Sequence, residues 1–420
     1  MKLTIRNLAK IAEAEIEFSG ITVIGGANDT GKSTVGKALF AMFHVFRHME
    51  ESVRWSQLTS IADAILQGAL SYDRYTFSLL GGVLAPGGLA KDFQEAKAET
   101  VEDFLKIGDR YVKKLHSFSL DEEPDKKRDI EEKIKKILAV EPELVARQLV
   151  TRGFRASIGP QIQSLLTEES ADVCLGVQGK DLHAQFVGNT CQWIEHPINL
   201  VNRAVYIDDP YTIDHLERRR SAKDQMQQEL ARWLRDSEPS NTVTEVLNQQ
   251  ALQSVLGVLE QTVPGQLYEE DGRLLLRLTQ MKGPLYVESL STGVKAFAIL
   301  KRLLQNHQIG ERDVLILDEP EIHLHPEWQM LYAQFLVLLQ KAFHLTVLLT
   351  SHSPYFLNAI EVYVKKYGVA EQTRYYFAKN QKNGAVFEDV THHVDTIYAS
   401  LARPFEKMEA LEEELELDAE

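Results

Sequence analysis

The sequence predicts an α/β fold in which buried parallel strands end at a phosphate-binding edge. A glycine-rich loop, Gly25–Thr34, follows a β-branched run and precedes an apolar stripe at helical spacing. An uninterrupted apolar run, Val314–Leu317, ends in two carboxylates, and a second run, Leu345–Thr350, ends shortly before His352. Such runs are typical of strands buried on both faces of a parallel sheet, whose carboxyl ends bind ligands.

The glycine-rich loop has the spacing of a phosphate-binding P-loop: Gly26, four residues, then Gly31, Lys32 and Ser33. The backbone N–H groups of such a loop point inward at phosphate oxygens. We expect Lys32 to reach the β- and γ-phosphates of a nucleotide and the Ser33 hydroxyl to take a place on Mg²⁺. The run Ile21–Ile24 predicts the strand before the loop. The apolar residues on one face of the following helix are Val35, Leu39, Met42 and Phe46.

The two carboxylates after the first buried run are Asp318 and Glu319. Asp318 is expected to hold Mg²⁺, directly or through water, and Glu319 to polarise the attacking water. Adjacent carboxylates beside a phosphate loop repel each other unless a cation lies between them. We expect His352 to donate a hydrogen bond to the γ-phosphate, because the strand order places it beside Asp318.

A well-capped helix begins in the sequence LSTG at Leu290–Gly293. Ser291 is a good N-cap residue, and Gly293 allows a close approach to the backbone. The P-loop already brings one helix N-terminus to the phosphates. A second is best explained if it serves the ATP of another copy of the chain.

These phrases together resemble the ATP-binding-cassette (ABC) ATPases of the SMC/RecF/OLD type, and not transporter subunits. The phrases LDEPEIHLHP and TSHSP are especially similar to the OLD branch, and the resemblance covers roughly residues 1–46 and 268–390. It implies an α/β P-loop NTPase of the ABC ATPase type that carries an inserted, mainly helical subdomain. The matching residues are Gly26, Asn28, Gly31, Lys32, Ser33 and Thr34 in the P-loop, Ser291 and Gly293 in the signature, Asp318 and Glu319 in Walker B, and His352 in the switch.

The resemblance also implies an assembly and a reaction. Two copies close head to tail around two Mg²⁺–ATP, and ATP is hydrolysed with Glu319, His352 and Lys32 as catalytic residues. Stand-alone ATPases similar to this chain occur in bacterial anti-phage systems such as Septu and PARIS, where they act as sensor and scaffold for a separate nuclease. The alternative is a RecF-like DNA-repair ATPase. A transporter motor is disfavoured by the long insertion.

Several positions depart from the pattern of these relatives. Asp29 and Thr30 stand where the relatives usually carry Gly-Ser, and Thr292 stands where transporters use Gly. His325 occupies the position of a D-loop aspartate, as is usual in the OLD branch. A Q-loop glutamine is not identified, since Gln57 fits by distance only. We therefore expect slow turnover.

The motif spacing predicts an ATPase core over 1–46 and 266–395, an inserted subdomain over 47–265 and an acidic C-terminal tail over 396–420. A β-meander is expected within the insertion over 172–195, followed by a strand at 203–208. The tail is expected to be a solvated end, or alternatively to dock on a basic partner through Met408, Leu411, Leu415 and Leu417. The helices predicted in the insertion are Leu58–Leu70, Val101–Leu115, Arg128–Leu138 and Leu144–Arg152.

The composition of the 420 residues, 44% hydrophobic and 25% charged, is sufficient for a sizeable core. No apolar stretch of about 18 residues and no secretion signal is seen, so a cytoplasmic protein without a membrane span is expected. Cys174 and Cys191 are expected to be reduced thiols.

Nearly half of the net charge of −15 lies in residues 405–420, which hold eight acids and one lysine. The densest basic patch, Arg218, Arg219 and Arg220, leaves DNA or RNA contact open. No Toprim, HNH or paired Cys-x-x-Cys chemistry is visible, so a nuclease or toxin effector is expected in trans.

Overall fold

The computed structural model describes residues 1–70, 86–115, 120–216, 225–237, 253–278 and 281–417. The chain divides into two compact units, one formed by Met1–Arg47 with Thr151–Glu420 and the other by His48–Val150. The predicted basic patch Arg218–Arg220 lies outside the described residues.

The larger unit is built on an eleven-stranded mixed sheet with a separate three-stranded sheet. The large sheet has the order β6-β5-β4-β1-β2-β14-β13-β3-β12-β11-β7, and the small one β10-β9-β8. The strands are β1 (Lys2–Leu8), β2 (Ile11–Glu17), β3 (Ile21–Gly26), β4 (Ala171–Val177), β5 (Lys180–Val187), β6 (Thr190–Glu195), β7 (Ala204–Ile207), β8 (Gln266–Glu270), β9 (Arg273–Arg277), β10 (Leu285–Tyr286), β11 (Val314–Asp318), β12 (Thr346–Ser351), β13 (Thr373–Gln381) and β14 (Gly384–Asp389).

Parallel pairing joins the strands that carry the motifs. β3 pairs with β12, β12 with β11, and β11 with β7, all parallel. Every residue of β3 and β7 is buried, as expected for strands covered on both faces. The prediction of an α/β fold with a buried parallel sheet is confirmed, and the carboxyl ends of these strands share one edge.

Helices cover the sheet and form the second unit. Their bounds are α1 (Lys32–Phe46), α2 (Met49–Leu70), α3 (Pro86–Glu95), α4 (Val101–Leu115), α5 (Pro124–Leu138), α6 (Pro142–Ile158), α7 (Gln225–Arg235), α8 (253–262), α9 (Thr292–Gln305), α10 (Pro326–Phe343), α11 (Pro354–Tyr367) and α12 (Asp395–Leu417). The four helices predicted in the insertion are confirmed as α2, α4, α5 and α6, most of them longer than expected.

The smaller unit is helical in its described residues and has its own core. Phe93 and Phe104 pack edge to face at 5.0 Å in its centre. Gly68 allows α2 to approach α5 closely, since a Cβ there would lie 2.5 Å from Ile130. A folded helical unit therefore follows α1, as the sequence predicts.

The bounds of the inserted unit differ from the predicted 47–265. β4 pairs antiparallel with β1 from Asp172 to Gly176, so the predicted meander extends the main sheet. β7 pairs with the Walker B strand β11. The inserted unit therefore ends near Val150, and the residues after it return to the core, because their alternating and buried strands find their partners there.

The C-terminal segment is also not a free tail from residue 396. It forms α12, whose Ile397 is fully buried. A Cβ on Gly25 would lie 2.5 Å from Ile397 Cγ2, so the first turn of α12 packs on the strand that leads into the P-loop. Further along, Met408 and Leu411 are exposed.

Neither Cys174 nor Cys191 forms a disulfide. Among the described helices, none has the length and apolar character needed to cross a bilayer.

Candidate functional site

The P-loop connects the buried strand β3 to the N-terminus of α1. Gly26 has φ 151°, and a Cβ there would lie 2.4 Å from the Ala378 carbonyl oxygen. Gly31 is left-handed at φ 78° and gives α1 no side-chain cap. The first intrahelical hydrogen bond runs from Val35 N to Gly31 O, at 3.2 Å. The preceding N–H groups of the loop and first turn are therefore suited to receive an anion.

Lys32 is folded back onto the loop that it follows. Its ammonium donates to the carbonyls of Gly26 at 3.0 Å and Ala27 at 2.7 Å, and lies 4.0 Å from Glu319 Oε1. Burial lowers the pKa of Lys32, while Glu319 and Asp318 oppose that shift. Two weak neutral acceptors thus hold an ammonium that phosphate oxygens would bind more strongly.

The unusual Asp29-Thr30 pair has a structural explanation. Thr30 donates through Oγ1 to the Ala27 carbonyl at 2.8 Å, closing the loop on itself. Asp29 is left-handed at φ 62°, a conformation that Asp tolerates. Its exposed carboxylate forms an ion pair with Lys10 in the β1–β2 turn. The extra negative charge beside the P-loop is therefore balanced by a lysine from a neighbouring strand pair.

Asp318 is held at both carboxylate oxygens. Thr350 donates through Oγ1 to Oδ1 at 2.5 Å, and Tyr206 donates through its hydroxyl to Oδ2 at 2.9 Å. The donors come from β12 and β7, the two strands that flank β11. The orientation of Asp318 is therefore set by its neighbours before any ligand arrives.

Glu319 lies between Lys32 and His352. Its Oε1 is 3.0 Å from His352 Nδ1 and 4.0 Å from Lys32 Nζ. Its backbone is left-handed at φ 50°, and its N–H donates to both the carbonyl oxygen and Oγ1 of Thr350, at 3.1 and 3.0 Å. A left-handed glutamate is a strained conformation of the kind that clusters at functional sites.

The switch histidine, His352, contacts Glu319. It follows β12, which pairs with the strand β11 that ends at Asp318. The Nδ1 atom of His352 is buried and makes no aligned hydrogen bond within the described residues, although it lies at ion-pair distance from Glu319. The geometry leaves the imidazole half-exposed at the edge where the phosphates would lie.

A buried carboxyl, Glu321, supports this histidine. Its Oε1 accepts hydrogen bonds from Ser351 Oγ at 2.5 Å and from the His352 N–H at 3.1 Å. The side chain is 2% exposed, and its Oε2 finds no partner among the described residues. Burial raises the pKa of Glu321. Glu321 thus links the loop after β11, which carries Walker B, to the switch residues at the end of β12 through hydrogen bonds.

The signature residues lie at the N-terminus of α9, away from these contacts. Ser291 is exposed, and its side chain makes no cap hydrogen bond. A Cβ on Gly293 would lie 3.3 Å from Leu324 and 3.4 Å from the His323 carbonyl, in the turn before α10. Thr292 Oγ1 lies 2.9 Å from the Tyr211 hydroxyl. Within the described residues these contacts include no P-loop residue.

The predicted metal ligands suit magnesium. Ser33 opens α1 beside Lys32, and Asp318 offers carboxylate lone pairs beyond its two hydroxyl contacts. The described residues contain no cluster of three or more His, Cys, Asp or Glu that could hold a metal. Mg²⁺ ordinarily takes one or two protein oxygens and completes its shell with phosphates and water, so this donor set fits it.

The structure thus brings Lys32, Asp318, Glu319 and His352 to one edge, whereas Ser291 and the buried Gly293 lie at the N-terminus of α9. Sequence reasoning missed three supporting groups: Tyr206, Thr350 and Glu321. Of these, Glu321 lies inside the phrase LDEPEIHLHP and Thr350 inside TSHSP. Polar residues one or two positions from a motif residue are therefore the ones that the sequence could have indicated as supporting groups. Tyr206 lies in an otherwise apolar strand and gives none.

Comparison with known families agrees with the motifs. Residues 184–358 match a family model described as "AAA domain, putative AbiEii toxin, Type IV TA system". Residues 2–68 match a model described as "AAA domain". The two matches contain the P-loop, signature, Walker B and switch residues.

Solved structures similar to the chain include SMC head domains. The SMC head domain from Thermotoga maritima is 11% identical, with 93% of this chain and 98% of that chain covered and a TM-score of 0.37. The SmcHead bound to the C-winged helix domain of ScpA is 11% identical, with 94% and 98% covered and a TM-score of 0.43. The Smc head domain with an extended coiled coil bound to the C-terminal domain of ScpA, derived from Pyrococcus furiosus, is 11% identical, with 98% of each chain covered and a TM-score of 0.34.

The fold is a P-loop NTPase fold. The sheet order, the P-loop on β3 and the acidic end of β11 carry this conclusion, and the AAA-domain matches agree with it. The AAA-domain matches support a P-loop ATPase.

Proposed function

We propose that the chain binds Mg²⁺–ATP and hydrolyses it slowly, as sensor and scaffold for a separate nuclease or toxin effector in bacterial anti-phage defence. The observation that carries the ATPase part is the cluster of Lys32, Glu319 and His352, in which Glu319 Oε1 lies within 4.0 Å of both partners at the mouth of a P-loop. A carboxylate between two cationic or donor groups beside a phosphate cradle is suited to orient water.

Each residue at this edge has a role in the proposal. Gly26, Asn28, Gly31 and Thr34 offer loop and helix N–H groups to the phosphates, and Lys32 neutralises their charge. Ser33 and Asp318 hold Mg²⁺, Glu319 orients the attacking water, and His352 donates to the γ-phosphate. Phosphoryl transfer then depends on positioning and charge neutralisation.

The proposal includes a head-to-tail pair of chains. Ser291 and Gly293 present a helix N-terminus that forms no hydrogen bond with the P-loop of its own chain within the described residues. Exposed apolar side chains lie close to the motifs in sequence, at Ile322, Met330 and Tyr355. A second copy would cover them. ATP contacted from both sides only in the closed pair would favour closure by its differential affinity.

The defence part rests on one further observation. The family model that matches residues 184–358 is described as "AAA domain, putative AbiEii toxin, Type IV TA system". This description favours a chain that takes part in the control of a toxic activity.

The test is a pull-down from the native host of tagged Glu319→Gln chain with ATP and Mg²⁺, followed by mass spectrometry and nucleic-acid analysis. The exposed Glu327→Gln serves as the matched control, because it makes the same chemical change outside the site. Stoichiometric nuclease or toxin, retained with ATP by Glu319→Gln, is the expected result. Retention independent of ATP would contradict the sensor role.

The second candidate is a RecF-like DNA-repair ATPase, favoured by the basic patch Arg218–Arg220 in the sequence. It predicts DNA in the same pull-down without an effector, and DNA binding that weakens steeply with salt. Replacing the three arginines by glutamine would then abolish retention of DNA.

A further inference from the structure

One segment, residues 204–216, contacts both Asp318 and the signature helix. At its first end, Tyr206 in β7 is 1% exposed and donates to Asp318 Oδ2 at 2.9 Å. The ring packs edge to face on Phe40 of α1, and Gly36 leaves room for it: a Cβ there would lie 3.3 Å from the ring. Tyr206 therefore touches the helix that follows the P-loop as well as the Walker B carboxylate.

At its other end the same segment holds the first turn of α9. The Tyr211 hydroxyl lies 2.9 Å from Thr292 Oγ1. Asp214 accepts a hydrogen bond at 2.6 Å from Lys295, whose ammonium also donates to the Glu288 carbonyl at 2.9 Å and lies 5.0 Å from the centre of the Tyr211 ring.

The Lys295–Asp214 pair is an unusual feature for this position. Lys295 is 2% exposed and sits in the first turn of a helix, where a positive charge is unfavourable. Removing an ammonium from water is costly unless a carboxylate accompanies it. The orientation of the signature turn therefore depends on where residues 211–214 place their side chains.

The segment between the two ends is stiff. It contains no glycine between Arg203 and Leu216, and Pro210 opens its 3₁₀ turn. Asp209 caps this turn by accepting a hydrogen bond from the Tyr211 N–H at 2.8 Å. Ile213 and Leu216 are buried in the core. Tyr206 and Tyr211 are thus joined by only four residues, one of them a proline.

We propose that residues 204–216 couple the two nucleotide sites of the assembly, with Tyr206 and Tyr211 as positioning residues. This inference rests on the proposed head-to-tail pair. In that pair Tyr206 positions the chain's own Asp318, while the signature that residues 211–214 position contacts the ATP of the other chain. In each chain, occupation of its own metal site then changes the affinity of its signature for the partner's nucleotide.

The test uses mixed pairs in which the two roles are separated. A tagged Glu319→Gln chain supplies the ATP-loaded P-loop, and an untagged Lys32→Ala chain supplies only its signature. Capture of the untagged chain on the tagged one is measured against ATP and Mg²⁺ concentration. Tyr206→Phe or Tyr211→Phe is placed in the Lys32→Ala chain only, where its own site is already inactive.

Each substitution removes one hydroxyl and keeps the ring, so the packing of the Tyr206 ring on Gly36 and Phe40 is retained. We expect either substitution to weaken capture about fivefold, which corresponds to about 1 kcal/mol, the scale of one hydrogen bond. Tyr367→Phe, which loses a hydroxyl hydrogen-bonded to Gln334 at 2.8 Å, is the matched control and should leave capture unchanged. Tyr211 is half exposed, so its variant tests the inference even if Tyr206→Phe unfolds the chain.

Ser291→Arg in the Lys32→Ala chain distinguishes a failure of the coupling inference from a failure of the proposed head-to-tail pair. If Ser291→Arg abolishes capture while both tyrosine variants bind as the parent does, the coupling inference is overturned and the proposed pair stands. If capture needs neither ATP nor Ser291, the head-to-tail pair fails and the coupling inference fails with it.

Discussion

Replacing Glu321 tests whether a buried carboxyl holds the switch loop against the Walker B loop. The side chain is 2% exposed, and its Oε1 accepts from Ser351 Oγ and the His352 N–H. Glu321→Ala leaves both donors without their acceptor. Each buried donor that loses its partner costs about 1–3 kcal/mol, so for the two donors we expect the free energy of unfolding to fall by about 2–6 kcal/mol.

Glu321→Gln keeps the accepting oxygen and is the sharper variant. Burial raises the pKa of Glu321 above its ordinary value of 4.5. The folded chain therefore binds more protons than the unfolded chain above that pH, and the contribution of this group to stability is lost as pH rises through the folded pKa. The glutamine variant has no such loss. Its stability relative to the parent should rise with pH, by about 1.4 kcal/mol for each unit between the two pKa values.

The measurement is urea unfolding of the parent, Glu321→Gln and Glu321→Ala from about pH 5 to about pH 8. The parent and glutamine curves should converge at the acidic end and separate towards neutral pH. A difference between them that stays constant over this range would refute the argument. A Glu321→Ala chain as stable as the parent would show that the two hydrogen bonds do not support the loop.

Three further predictions concern the P-loop, Walker B and the C-terminal helix. Lys32→Ala should weaken ATP binding about a hundredfold in a calorimetric titration, because a charge-assisted phosphate contact of about 3 kcal/mol is lost, while Lys37→Ala on the same helix should bind normally. Glu319→Gln should lower phosphate release by at least about 10²-fold while retaining ATP, and unchanged turnover would discard its role; the exposed Glu327→Gln should match the parent. Ile397→Ala should lower the free energy of unfolding by about 2–4 kcal/mol in urea, whereas an unchanged value would mean that α12 does not pack on β3.

The sequence predicts those parts of the site that are local. The P-loop, the acidic end of β11 and His352 are each specified within about ten residues by strand, turn and helix signals. The groups that orient them are not local: the donors to Asp318 are 112 and 32 residues distant in the chain. A tyrosine in an apolar strand has the same sequence signal whether its hydroxyl meets a carboxylate or another acceptor.

The C-terminal boundary of the inserted unit could not be predicted from the sequence for a different reason. Alternating apolar and polar residues predict strands over 172–195, and the structure forms them as β4, β5 and β6. Alternation does not say which strand lies alongside, because the hydrogen-bonding edge of a strand has no side-chain signature. Residues 204–207 likewise find their partner 110 positions later in β11.

The C-terminal helix α12 begins with an amphipathic stretch that the average charge of the segment does not reveal. Eight acids in residues 405–420 dominate its composition. Ile397, Tyr398 and Leu401, at helical spacing, pack against the core. The charged part of α12 begins only after this anchor, so a boundary drawn at residue 396 removes the anchor from the domain that it belongs to.

Thr350 explains how the site keeps its geometry. Its hydroxyl donates to Asp318 and accepts from the Glu319 N–H, to which its carbonyl oxygen is also bonded. A left-handed glutamate costs about 1–3 kcal/mol, and these two acceptors offset that cost. One threonine on the neighbouring strand therefore fixes the predicted metal ligand and the predicted catalytic carboxylate relative to each other. Positioning of this kind lets a small set of motif residues act on phosphates without rearranging first.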